Sequence, residues 1–162
     1  MKTEESYMPI LNVNGKDLES KVTFKFNSLA KEKYYGEDKE GNKSSGINNI
    51  YEKLLNFDHE GLIGFWDCAV NHLKERPTRG DIEDALMAVI EKDDDTEKLF
   101  KEAFETMDKS GFFKLQAKKY WKDLEKAPEF AKDDKEKTQI ETYVQRMKDS
   151  RDQLLGTKKK TA

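Results

Sequence analysis

The stretch from Pro9 to Asn27 most constrains what this chain can fold into. An Asn14-Gly15 pair follows a short apolar segment, Ile10, Leu11 and Val13. Beyond it, Val22, Phe24 and Phe26 alternate with Thr23, Lys25 and Asn27. Asn-Gly favours a two-residue hairpin turn, because both central residues need positive φ, which glycine adopts freely and asparagine tolerates. The alternation predicts a longer second strand with one buried face. A lone hairpin is marginal in water, and most of the chain beyond it has helical periodicity, so the strands must lean on helices. The expected fold is α+β and mostly α: an N-terminal β-hairpin packed on a bundle of about five short helices, with a polar C-terminal arm.

At 162 residues, one domain with appendages is the expectation. Only 35% of residues are hydrophobic while 39% are charged, which predicts that part of the chain lies outside a packed core. Lys and Arg number 30 against 33 Asp and Glu, a balance that offers no bulk attraction to nucleic acid or an anionic membrane. Cys68 is the sole cysteine, so no intrachain disulfide forms and a reducing compartment is expected. Met1 to Met8 has no apolar run of signal-peptide length. The longest apolar run, Ala85 to Ile90, falls far short of the roughly 20 residues a spanning helix needs. A soluble, intracellular protein is the expectation.

Ser28 is placed to cap a short helix through Leu29, Ala30 and Tyr34 that ends at Gly36. Residues 36–46 are polar and glycine-rich and read as a mobile loop. Ile47 to Asn56 is helical by pattern, and His59 to Glu75 forms the most apolar helix, stopped by Pro77. Thr78 and Asp81 resemble a capping box for a helix burying Ile82, Ala85, Leu86, Val89 and Ile90. Asp93 to Asp95 supply a turn and a cap for the next helix, which carries Leu99, Phe100, Ala103, Phe104 and Met107 and ends at Gly111. Phe112, Phe113, Tyr120, Trp121 and Leu124 mark one more helix, stopped at Pro128. Residues 129–162 hold seven acids and nine bases, net +2, whereas residues 1–128 hold 26 acids and 21 bases, net −5. In that last segment Ile140, Tyr143, Val144 and Met147 form a narrow stripe, which suits a tethered helix or a disordered arm. The expected organisation is a tail over 1–8, a domain over 9–128 and a charged arm over 129–162.

Chemistry is sparse. Cys68 and His72 lie four residues apart, one turn of the expected helix, but a cysteine beside an apolar stripe usually acts as a small hydrophobe. Two ligands are too few for zinc, and His59, the other histidine, is more than three turns away. Asp108-Lys109-Ser110-Gly111 opens like a calcium loop, yet Phe113 and Lys119 occupy the positions where Gly and Glu are required. No phosphate-cradling loop is present. A helix-turn-helix built on residues 59–75 and 79–92 would lead into DNA with Asp81, Glu83 and Asp84, the wrong charge for phosphates. Lys114, Lys118, Lys119 and Lys122 around Tyr120 and Trp121 are more simply a lysine face over an aromatic core stripe. Neither an enzyme nor a cofactor site is expected, and capture of a protein partner is.

Ile10 to Lys16 (ILNVNGK), Gly61 to Lys74 with Trp66-Asp67 and His72-Leu73-Lys74, Pro77-Thr78 with Asp81-Ile82-Glu83, and Phe100 to Met107 occur in an order that resembles one family. It is that of the tail assembly chaperones of long-tailed, siphophage-type bacteriophages of Gram-positive hosts. The resemblance covers roughly residues 8–125. It implies a noncatalytic protein of the host cytoplasm, absent from the mature virion, that keeps the tape measure protein soluble while tail tube subunits polymerise around it. It also implies that a translational frameshift appends a second domain recruiting the tail tube protein. Lysine codons are A-rich, so Lys158, Lys159 and Lys160 are candidate positions for that slippage.

Phe112, Tyr120 and Trp121 are the candidate partner-binding residues, because aromatics late in a charged chain either close the core or form an interface hot spot. Coating a long filament favours a homo-oligomer or a ring. A small phage or bacterial regulator acting on a host protein or nucleic acid is the competing class, and a hydrolase using Cys68 and His72 a third.

Overall fold

The computed structural model describes residues 8–156, so residues 1–7 and the candidate frameshift positions Lys158, Lys159 and Lys160 lie outside the described residues. Two small antiparallel hairpins and seven helices make up the fold among those residues. Strands β1 (Ile10–Val13) and β2 (Lys16–Glu19) pair with Leu11 opposite Leu18 and Val13 opposite Lys16. The turn is the expected one: Asn14 and Gly15 both have positive φ, 53° and 82°. Leu11 and Val13 point into the core, while Ile10 and Asn12 face out.

The second strand is shorter and earlier than the alternation of Val22, Phe24 and Phe26 predicted. Helix α1 (Phe24–Lys33) takes that segment instead. Extended Thr23 caps it, accepting a hydrogen bond from the Lys25 N–H at 3.2 Å. Three alternating apolar residues cannot distinguish period two from a helix, and Phe26, Leu29 and Ala30 at i, i+3 and i+4 supply the helical stripe. Phe24 is left 79% exposed. Ser28, expected as the cap, lies inside α1, which ends at Lys33.

The polar segment 36–46 is not structureless. Gly36–Glu37 (β3) pairs with Lys43–Ser44 (β4) around a turn held by the Asp38 carboxylate, which accepts from the N–H of Glu40 and of Asn42 at 2.9 and 2.8 Å. Gly46 then starts α2 (Gly46–Leu55) and is buried. A Cβ there would collide with the Ala30 carbonyl of α1, so this glycine sets how closely the two helices approach.

Helix α3 (His59–Ala69) is the centre of the bundle, and it ends well before Pro77. Its last carbonyl, that of Ala69, accepts from the Lys21 N–H at 3.0 Å. Asn71, just beyond, donates to the Lys25 carbonyl at 2.8 Å. Tertiary bonds to the α1 approach therefore terminate this helix, where the sequence pointed to proline. The Thr78–Asp81 capping box forms as expected and opens α4 (Arg79–Asp93). Asp95 accepts from the N–H of Thr96 and Glu97 to start α5 (Glu97–Lys109), in which Leu99, Phe100, Ala103, Phe104 and Met107 are all buried. Gly111 does not take the left-handed conformation of a helix-ending glycine; Ser110, extended, ends α5. Helix α6 (Lys114–Lys126) runs into a single 3₁₀ turn at Ala127–Phe130 that holds Pro128.

Of the two expectations for the C-terminal segment, the structure adopts the helix. Asp133 caps α7 (Asp134–Leu155), and Gly156 closes it at φ 67°. This helix packs on α5 and α2. Met147 and Leu154 enter the same hydrophobic cluster as Phe26, Phe65 and Phe104.

Candidate partner-binding surface

Tyr51, on the inner face of α2, is the hub of the largest aromatic cluster. It stacks on Phe104 of α5 with ring centroids 4.7 Å apart and meets Phe113, Tyr120 and Trp121 at 4.9, 5.5 and 6.4 Å. Its hydroxyl donates to the Asp108 carboxylate at 2.6 Å and accepts from the Trp121 indole N–H at 2.8 Å. Both phenolic and indole tips are thereby satisfied inside the fold. Burial, reinforced by Asp108, drives the Tyr51 pKa far above the ordinary phenol value. Tyr120 hydrogen-bonds Glu52 at 3.1 Å and is raised likewise, again mainly by burial.

The three aromatics singled out from the sequence thus occupy different depths. Trp121 is buried, its ring covered by the Arg151 guanidinium of α7 at 4.1 Å from the centroid. Tyr120 is half-buried beside it. Phe112 is half-buried and edge-on to the exposed Phe24, with centroids 5.0 Å apart. Leu115, 78% exposed, comes next on the first turn of α6. The structure brings Tyr120 and Trp121 together at 5.3 Å and places Phe112 with Phe24 instead. That pairing was hidden in the sequence, because Phe24 was assigned to a strand.

Between α6 and the C-terminal end of α7 lies a cleft of about 660 Å³, lined by Lys114, Lys118, Lys122, Trp121, Arg151 and Leu155 among others. The three lysines recur every four residues, on one face of the helix. Two acids also line it, each already engaged: Asp108 with Tyr51 and Glu125 with Lys148 at 3.0 Å.

A second polar device escaped the sequence entirely. Asp67, only 1% exposed in the middle of α3, accepts from the Tyr34 hydroxyl at 2.7 Å and from Arg76 at 3.0 Å. It ties the end of α1 and the segment after α3 to the centre of the bundle. Burial and this carboxylate push the Tyr34 pKa well up. The adjacent Trp66-Asp67 pair was visible as a motif, but nothing in one sequence reveals that this acid faces inward.

Cys68 and His72 do not share a helical face, since α3 ends at Ala69 and His72 lies in the turn beyond it. The Cys68 thiol is buried, and desolvation raises its pKa, so the thiolate a nucleophile requires is disfavoured. Among the described residues no group of three His, Cys, Asp or Glu side chains stands close enough to hold a metal ion. No helix among them is long and apolar enough to cross a membrane.

Fold and surface together define a small, mostly helical α+β domain whose distinctive features are packing faces and clefts. Residues 10–122, from β1 into α6, match the model of the phage tail assembly chaperone protein family (TAC), and the chain belongs to that family. The role of that family, tail assembly chaperone, is a noncatalytic one and implies protein partners in tail assembly. No curated protein and no solved structure matches the chain.

Proposed function

We propose that this protein binds the tape measure protein in the cytoplasm of the infected host, keeps it soluble and helps bring tail tube subunits to it. The observation that carries this reading is the family match over residues 10–122. A long helical client exposes apolar stripes that associate with one another unless covered. A domain built from amphipathic helices, with exposed Phe24 and Leu115 beside the half-buried Phe112, supplies apolar surface of the complementary kind. A longer product, made by frameshifting at the codons of Lys158, Lys159 and Lys160, would carry the tail tube contact, and the chaperone would be left out of the finished virion.

Co-expression with the tape measure gene of the same phage tests the role. The tape measure protein is expected in the soluble fraction, eluting with the chaperone on gel filtration. Equal insolubility with and without the chaperone would sink the proposal. Mass spectrometry of the C-terminal peptides from infected cells tests the frameshift: only a species extended beyond the Lys158 codon region supports it.

A further inference from the structure

We infer that the face covered by α7 is a helix-binding groove, filled in cis by α7 and open in trans to a partner's amphipathic helix with an apolar three-four seam and acidic flanks. The identity of the natural partner rests on the proposed chaperone role; the groove itself rests on the geometry of α7 and its seat.

Ile140, Val144, Met147, Arg151 and Leu154 succeed one another by four, three, four and three residues, the spacing of a coiled-coil seam. Val144, Met147 and Leu154 are the buried residues of the 22-residue helix, and the rest of its surface is polar or only partly covered. At the seam position between Met147 and Leu154, Arg151 lays its guanidinium on Trp121, 4.1 Å from the ring centroid. The seat beneath is built on α5 and α2 and includes the Trp121 ring under Arg151, with Trp121 and Tyr120 held in place by hydrogen bonds to Tyr51 and Glu52. Rings fixed in this way lose little entropy on receiving a ligand helix.

Helix α7 also stands apart from the elements it covers. The family match ends inside α6, at residue 122, so α7 lies outside the matched segment. It is tethered through the 3₁₀ turn and residues 131–133, which places it on the groove at high effective concentration.

Charge specifies the flanks of the partner. The cleft beside the C-terminal half of α7 presents Lys114, Lys118 and Lys122 of α6; of its acids, Asp108 is bound to Tyr51 and Glu125 is paired with Lys148 of α7 itself, so lifting α7 leaves three lysines against one free carboxylate. A helix carrying acids beside its seam gains attraction to the lysine row on α6. Because the groove is occupied in cis, the apparent affinity for such a helix falls by the fraction of time that α7 is lifted. Loosening α7 must therefore tighten binding in trans.

The experiment uses the full chain, wild type and Met147→Asp, with a labelled synthetic peptide of residues 133–156 as probe. Circular dichroism and a cooperative unfolding transition first establish that the variant is folded. The peptide is expected to bind Met147→Asp at least tenfold more tightly than wild type. Acrylamide should quench Trp121 in the variant and be excluded again when peptide is added, while Trp66, 2% exposed, stays dark throughout. A second peptide with Lys148→Glu, which sets a carboxylate against Glu125, is expected to bind the variant more weakly than the first. A folded variant that binds the peptide no better than wild type overturns the groove. Should Met147→Asp not fold, amide exchange on the wild type decides: α7 must open at a lower free energy than α3, and equal protection overturns the inference. A chain that solubilises the tape measure protein but shows none of these effects keeps the proposed role and loses the groove. Peptide binding as described, without solubilisation, does the reverse.

Discussion

Helices α3 and α7 show two ways in which one chain makes a helix. In α3, 11 residues long, eight residues are buried, and neighbours close over it from α1, α2, α4 and α5. In α7, twice as long at 22 residues, three are buried. The first is held by tertiary packing; it is apolar nearly all round, contains Gly61 and Gly64, and would not be helical alone in water. The second has strong local signals, an Asp133 cap, acids in its first turn and a left-handed Gly156, but only a thin seam to dock by. What is costly to move lies in α3; what is cheap to move lies in α7.

The largest effect should come from Phe65→Ala in α3. Phe65 is fully buried, and its loss is expected to cost about 3–5 kcal/mol in urea denaturation. A loss under about 1 kcal/mol there would erase the contrast between the two helices. Next comes Arg76→Ala, which leaves the Asp67 carboxylate buried with Tyr34 as its remaining partner. Because Arg76 is itself partly exposed, about 1–3 kcal/mol is expected by the same measurement, with Arg76→Lys recovering part of it. Met147→Ala probes α7. Its residue is as buried as Phe65, yet its effect on global unfolding is limited by the free energy with which α7 docks, so the loss should stay below the usual figure of about 2 kcal/mol for a buried Met.

Smaller again is Arg151→Ala, which removes the cation from the Trp121 ring; about 0.5–1 kcal/mol is expected, with a change in near-ultraviolet circular dichroism from the indole. The smallest concerns pH. Burial holds His72, in the turn after α3, below the ordinary imidazole pKa. The folded state therefore favours neutral His72, and its contribution is complete above the unfolded value of about 6.5 and shrinks as pH falls through it. His72→Gln should flatten the stability profile slightly between pH 7.5 and 5.5 (roughly the range that brackets that value), and an unchanged slope would show that this turn is indifferent to the proton.

Much of the fold was legible from residue patterns. Asn14-Gly15, the Thr78–Asp81 box and the α5 stripe all form as expected, because each rests on preferences of neighbouring residues in the chain. The misreadings share a cause. Val22 to Phe26 looks like a strand until Phe26 and Leu29 are seen to face the core, and the helix expected as far as Glu75 ends at Ala69 because Lys21 and Asn71 bond across to other segments. Less of the binding surface was visible. Phe112, Tyr120 and Trp121 were recognisable as a group of aromatics, but their depths, and the pairing of Phe112 with Phe24, depend on how α1, α6 and α7 meet.

The sequence by itself determined the family, the helical character of the chain, its turns and caps, and the two-residue hairpin that starts it. These rest on local backbone preference and on side chains bonding their immediate neighbours. Only the tertiary structure decided which acid is buried, where α3 stops, and that the charged C-terminal segment lies as a helix over Trp121. Each of those is set by desolvation and by hydrogen bonds between residues far apart in the chain, such as the 70 positions between Tyr51 and Trp121. Spacing along a sequence carries no record of such meetings.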